Sequence, residues 1–314
     1  RTLSFCLFSV SSLVNNSTEF ISFVLSPPAY VAYAYTMLSL APCCSPQGYL
    51  GLPCPLNRPL ICRLLTNFPQ RYASFLEEGF RVGFKVPVNR AVQPGVRRYS
   101  SSDDPSATQA VQEAITREAE LGRIGGPYME PPFPNFVCSP IYAVPKKEPG
   151  SLRVIQDLSF PRDGSSVNCS IDDASARVSL QSLDNALAAV RYFGPGCFLV
   201  KFDIRSAYKL IPVHPCDYHL LGFRFNGHYW YDKTLPFGLR CSALIFERFA
   251  CFLQWAFELR APQARFVHYL DDFLLVASSR TSAQTSWEAV RDLAHNLQLP
   301  LATEKTEGPT QRLT

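Results

Sequence analysis

The sequence predicts an α+β fold built on an antiparallel sheet, and three observations point there. From Phe198 onward the apolar pattern runs strand, short helix, hairpin, helix, hairpin, helix, with no alternating βα units. Short polar turns, Asn226-Gly227 and Asp271-Asp272, join the paired apolar runs, as in antiparallel hairpins. Hydrophobic residues make up 47% of the 314 positions and charged residues 18%, enough apolar material for a packed core. Wholesale disorder is excluded.

The elements follow in order. Between Arg1 and Asn57 only Arg1 and Glu19 are charged, so residues 1–59 read as a low-charge leader, disordered or wrongly translated. Its prolines, Pro27, Pro28, Pro42, Pro46, Pro53 and Pro55, interrupt any apolar run of the roughly 20 residues a spanning helix needs. No membrane segment is expected, and Leu3–Val10 fits a signal peptide only loosely. The start at arginine reads as a fragment. Phe75–Phe84 is amphipathic. Arg81, Lys85, Arg90, Arg97 and Arg98 follow with no acid among them, as a solvated loop or a phosphate-contacting arm. Asp103-Asp104-Pro105 marks a helix start, and Val111, Ala114, Ile115 and Leu121 give that helix an apolar stripe. Gly125-Gly126 lacks the sequel of a nucleotide-binding loop and reads as a helix stop.

Pro140–Pro145 and Ser151–Leu158 are predicted strands around Lys146-Lys147-Glu148-Pro149-Gly150. Leu180, Leu183, Leu187 and Val190 predict a helix over Ser179–Phe193. Phe198–Asp203 is a strand, and Leu221–Phe225 with His228–Tyr231 is a hairpin. Cys241–Leu259 is a helix whose aromatic residues read as core. Phe266–Tyr269 and Phe273–Ala277 form a second hairpin, Ser286–Leu297 a last helix, and a further strand would begin near Thr314.

Charge and cysteines exclude little by themselves. Thirty basic against 26 acidic residues give +4, which neither demands nor rules out a nucleic-acid partner. Eleven cysteines without a CxxC pair suit reduced, mostly buried thiols of an intracellular protein. His214-x-Cys216-x-x-His219 has no fourth partner, and no metal is expected there.

The chemistry gathers at Tyr269-Leu270-Asp271-Asp272. Adjacent acids at a turn are often only solvated, but Val267–Ala277 is otherwise almost wholly apolar. Side-by-side carboxylates raise each other's pKa unless a cation compensates, and oxygen-only ligands favour magnesium or manganese. Asp203 ends the apolar run Cys197–Phe202, either as a helix cap or as a partner for Asp271 across one sheet. Acids on two strand ends suit two-metal phosphoryl transfer.

Three segments, Phe202–Tyr208, Leu235-Pro236-Phe237-Gly238-Leu239 and Tyr269–Asp272, resemble motifs A, B and C of reverse transcriptases in order and rough spacing. Val144-Pro145-Lys146-Lys147 and Leu152–Leu158 resemble the family's fingers hairpin. Glu130-Pro131-Pro132-Phe133-Pro134-Asn135 and Ser165-Ser166-Val167-Asn168 resemble DIRS-type retrotransposons, which integrate with a tyrosine recombinase. The resemblance implies right-hand polymerase fingers and palm, the palm an antiparallel sheet backed by helices in a ferredoxin-like arrangement. Residues 60–130 would be an N-terminal extension and fingers, and 131–314 the fingers and palm, with the thumb missing beyond Thr314. It further implies DNA synthesis from dNTPs on a primed RNA or DNA template, with two Mg2+ ions or Mn2+. RNase H and recombinase partners from the parent element, a cytoplasmic or nuclear address and no membrane belong to the same expectation.

By resemblance, Asp203, Asp271 and Asp272 match the metal-binding carboxylates, and the Ile204 carbonyl a further metal contact. Tyr208 matches the aromatic gate that crowds a ribose 2′-hydroxyl; by itself it reads as an ordinary core tyrosine. Lys146 or Lys147, with Arg153, match cations that hold the triphosphate, against the plainer reading of an exposed charged hairpin. Phe237 and Gly238 would lie under nucleotide and template, although retroviral enzymes usually carry glutamine where Phe237 stands. Lys305 resembles the lysine proposed to protonate pyrophosphate, and a solvated lysine fits its place as well. A catalytically silent remnant that at most binds nucleic acid is the competing reading.

Overall fold

Capping side chains and turn residues set several element ends in the computed structural model, which describes residues 51–97, 104–145 and 152–313. In chain order the first elements are α1 (Arg58–Leu65), α2 (Ala73–Val82), β1 (Gly95–Val96), α3 (Pro105–Glu120), β2 (Ile124–Tyr128) and β3 (Val137–Cys138). Next come β4 (Ile141–Pro145), β5 (Leu152–Gln156), α4 (Leu183–Phe193), β6 (Phe198–Asp203), β7 (Gly222–Phe225) and β8 (His228–Asp232). The last are α5 (Ser242–Arg260), β9 (Ala264–Tyr269), β10 (Asp272–Ala277), α6 (Arg280–Asn296) and β11 (Glu307–Thr310). Asp104 caps α3 by accepting from the Ser106 amide, with Pro105 in the first turn. Ser182 and Asn185 form a reciprocal capping box on α4. Asn226 and Gly227 take φ of 47° and 83°, as a two-residue turn between β7 and β8 requires.

The described residues fall into two units. One comprises 180–205 and 251–313 and holds the four-stranded sheet β11-β6-β10-β9, antiparallel at every pairing. Strand alternation splits its core in two. Phe202, Phe257, Phe273 and Trp287 pack ring against ring. Leu199, Val267 and Val276 pack with Ala186 and Ala189 of α4. Each buried phenylalanine contributes roughly 1.5–3 kcal/mol.

The other unit comprises 51–179 and 206–250 and holds the five-stranded sheet β1-β3-β7-β8-β2 and the separate hairpin β4–β5. Here β1–β3 and β3–β7 pair parallel, a departure from the antiparallel expectation. Those strands are far apart in sequence and meet at only one or two residue pairs, so no turn announces them.

Other expectations shift. Residues 1–50 lie outside the described residues, but 51–59 do not fit a disordered leader: Leu52 and Leu56 are buried and α1 begins at Arg58. The helix before Gly122 stops there, at φ 68°, and Gly125-Gly126 belongs to β2. A Cβ on Gly125 would meet the Tyr231 ring at 2.3 Å, so that glycine makes room for an aromatic neighbour. Leu121 is exposed, outside the expected stripe. Helix α4 begins at Leu183, which is itself exposed, and turns alanines toward the sheet because small side chains admit closer approach. Helix α6 begins at Arg280, since Ser279 caps a polar first turn with only Ala283 buried in it. Strand β11 was hidden by Gly308-Pro309, a breaker pair that a sheet edge tolerates. Among the described residues no helix is long and apolar enough to cross a membrane.

Candidate active site

Strand register gathers the acids of the first unit. Asp203 lies opposite Asp272 across β6–β10, and Tyr269 opposite Asp272 across β9–β10. The turn is therefore Leu270-Asp271, one residue earlier than the acid pair suggested. The Ile204 amide donates to the Asp271 carbonyl at 3.0 Å, tying the end of β6 to that turn. Leu270 holds φ 56°, where a side chain costs roughly 1–2 kcal/mol. The Ile204–Leu301 bridge is flanked by bonds from Arg205 N–H to the Pro300 carbonyl and from Ala302 N–H to the Asp203 carbonyl. That places the Ile204 carbonyl at a non-hydrogen-bonded position of the pair.

Lys305 Nζ donates to Asp203 Oδ2 at 2.8 Å, and Asp203 is buried. Burial pushes the Asp271 carboxyl up to about 6, and the neighbouring Asp203 carboxylate pushes the same way. Asp272 is raised by burial and then by Asp203, with Lys201 and Lys305 opposing. Lys305 is raised chiefly by its hydrogen bond to Asp203. Asp203, Asp271 and Asp272 thus come to one end of this sheet, where Asp203 raises the affinity of the other two for protons. Carboxylate oxygens are the donor type that suits a hard divalent cation such as Mg2+ or Mn2+.

A second group assembles in the other unit. Tyr208 sits on the short 3₁₀ helix Ala207–Leu210, its ring centroid 5.2 Å from that of Phe237 and 5.8 Å from that of Phe246. Arg153, exposed and opposite Val144 in the β4–β5 hairpin, lays its guanidinium 5.6 Å from the Phe237 centroid. Gly238 takes φ 108°, and a Cβ there would stand 2.1 Å from the Gln156 carbonyl oxygen. The Gln156 amide donates to the Phe237 carbonyl at 3.3 Å, so this turn lies on the end of β5. Lys146 and Lys147 lie outside the described residues.

Two other clusters singled out in the sequence make local structural bonds. Arg90 donates to the carbonyls of Gly164 and Cys169, and Arg97 to those of Gln93 and Ser165, so both hold the chain in place. Of the other basic-arm residues, Arg98 lies outside the described residues. In the His214–His219 cluster, His214 Nδ1 accepts from the Cys216 amide and His219 Nδ1 lies 2.8 Å from the Cys216 carbonyl.

Residues 144–312 match the family model described as Reverse transcriptase (RNA-dependent DNA polymerase). The chain belongs to the reverse transcriptase family. Among curated relatives, the Gag-Pol polyprotein of Rous sarcoma virus subgroup B (strain Schmidt-Ruppin) is 25% identical over 58% of this chain and 10% of the polyprotein. The Gag-Pro-Pol polyprotein of mouse mammary tumor virus (strain BR6) is 25% identical over 63% of this chain and 11% of its own length. The Transposon Tf2-3 polyprotein of Schizosaccharomyces pombe is 24% identical over 68% of this chain and 14% of its length. The chain thus spans about a tenth of the relatives it matches. The crystal structure of prototype foamy virus protease-reverse transcriptase shares the fold, at TM-score 0.53 and 18% identity, over 72% of this chain and 30% of that one. The α+β architecture is that of reverse transcriptase fingers and palm.

One functional candidate escaped the motif reading. Asn168 is buried, donates to the carbonyl of Gly238 at 2.7 Å and accepts from the amide of Arg240 at 2.9 Å. Its only sequence signal was an asparagine in a segment of family resemblance.

Proposed function

We propose that this chain carries the polymerising centre of a retroelement reverse transcriptase, which extends a primer 3′-hydroxyl with dNTPs on an RNA or DNA template. The observation that supports this most is the register of Asp203 against Asp272, with Ile204 tied to Asp271. Asp203, Asp271, Asp272 and the Ile204 carbonyl would hold two Mg2+ ions, with Mn2+ as a substitute. Bound there, the ions would neutralise the triphosphate and lower the pKa of the primer hydroxyl. In the transfer the primer hydroxyl would give its proton to water, its oxygen would bond to the α-phosphorus as the α–β phosphoanhydride breaks, and Lys305 would supply a proton to the departing pyrophosphate. Arg153, with Lys146 or Lys147, pairs with the phosphates. Tyr208 crowds the 2′ position, and Phe237 and Gly238 underlie the nucleotide.

Residues 131–314 are read as fingers and palm. The Glu130–Asn135 and Ser165–Asn168 segments favour a DIRS-type parent element, with RNase H and a tyrosine recombinase as partners. Primer extension on an RNA template with magnesium tests the central reading. Extension by the wild type, even of low processivity, and none by Asp203→Asn would support it; equal inertness of both would favour the remnant.

A further inference from the structure

The side-chain amide of Asn168 spends its hydrogen bonds on one turn and its support. Nδ2 donates to the Gly238 carbonyl and to Ser159 Oγ, each at 2.7 Å, and Oδ1 accepts from the Arg240 amide at 2.9 Å. Both amide protons and the oxygen are engaged, and the residue is 7% exposed. The flipped amide would set its oxygen against the Gly238 carbonyl, so the orientation is chemically fixed. Gly238 has no side chain with which to anchor itself, and the Gln156 carbonyl occupies the space a Cβ would need. Beside the backbone bond from the Gln156 amide to the Phe237 carbonyl, Asn168 supplies the side-chain bonds that hold the turn on its Gly238–Arg240 side.

The adjacent residue gives that anchor its consequence. Phe237 is 37% exposed, so burial alone does not hold its ring. It is flanked by the Tyr208 ring and the Arg153 guanidinium. The helix that carries Tyr208 has its own tie, the Lys209–Asp232 ion pair. Loosening the Phe237 turn would therefore remove one of the rings packed on Tyr208, leaving the buried Phe246 on another side and the helix in place. The Tyr208 ring could then shift toward the side Phe237 had filled.

We propose that Asn168 is a positioning residue for sugar selection: it holds the Phe237-Gly238 turn so that Phe237 keeps the Tyr208 ring in place. The proposal rests on the reading of Tyr208 as the ring that meets the 2′ position of the incoming nucleotide. A hydroxyl is a small target for steric exclusion, and displacements on the order of 1 Å are costly at such sites.

The test is single-nucleotide extension by the full chain with dNTP and with rNTP. Asn168→Asp keeps the acceptor for Arg240 but turns an oxygen toward the Gly238 carbonyl. The dNTP-over-rNTP ratio of kcat/KM is expected to fall about tenfold. Phe237→Leu should give a similar fall, the double variant no further fall, and Phe237→Tyr the wild-type ratio. A loss shared equally by both substrates, with the ratio unchanged, would overturn the proposal. Should Asn168→Asp fail to fold, Asn168→Ser is read by the same ratio. If the wild type extends no primer, the polymerase reading falls, and hydrogen exchange still judges the clamp. Faster exchange in Asn168→Ser confined to the amides around Arg240 would support it, and uniform change across the unit would refute it.

Discussion

At the scale of single residues, Asp271 links the proposed metal site to the stability of the fold. Its carboxyl stands at about 6 in the folded chain against an ordinary 3.8. Folding therefore takes up a proton between those values, and the metal-free chain loses stability as pH rises from about 4 to 6. Above that range the loss is complete, on the order of 2–3 kcal/mol. Asp271→Asn should raise the thermal midpoint of the metal-free chain at pH 7, with the gain vanishing near pH 4. An equal gain at both values in a circular-dichroism melt would contradict the assignment. Magnesium should raise the wild-type midpoint at pH 7 and do less for Asp271→Asn, because a bound cation stabilises only the state that holds it.

At the scale of elements, two turns store opposite kinds of constraint. Leu270 occupies a left-handed position in the β9–β10 turn, so Leu270→Gly should stabilise the fold by about 1 kcal/mol in urea titration. A loss of stability would show that the leucine side chain outweighs the backbone strain. Gly238 is the reverse case, since Gly238→Ala drives a methyl into the Gln156 carbonyl and should cost about 1–3 kcal/mol. An unchanged urea midpoint would mean that the turn is free to move.

These elements also mark where the sequence was legible. Asn226-Gly227 and the Phe198–Asp203 run were readable because turn chemistry and alternation are local. The acids stood out because carboxylates are rare within apolar strands. Strand β11, the parallel pairings and the alanine face of α4 were not readable, since each is decided by a partner distant in sequence. Asn168 lies 70 residues from Gly238, and no local pattern announces that bond.

At the scale of the molecule, sequence order and spatial order diverge. The five-stranded sheet takes β1, β2 and β3 from residues before 139, and β7 and β8 from residues after 221. In that sheet β7 and β8 stand between β3 and β2, so residues 51–179 alone lack the strands that join their own edges. They would also lack Phe223, which packs with Val111, Ile115 and Ile124, and Phe249, which packs against Phe80. Exposed strand edges and an open apolar face favour aggregation over a single native state. A chain of residues 51–179 should therefore show no cooperative urea transition. Joining it to 206–250 through a flexible linker should restore one, because both missing strands and Phe249 return together. A cooperative transition in 51–179 by itself would show that the sheet does not depend on its inserted strands.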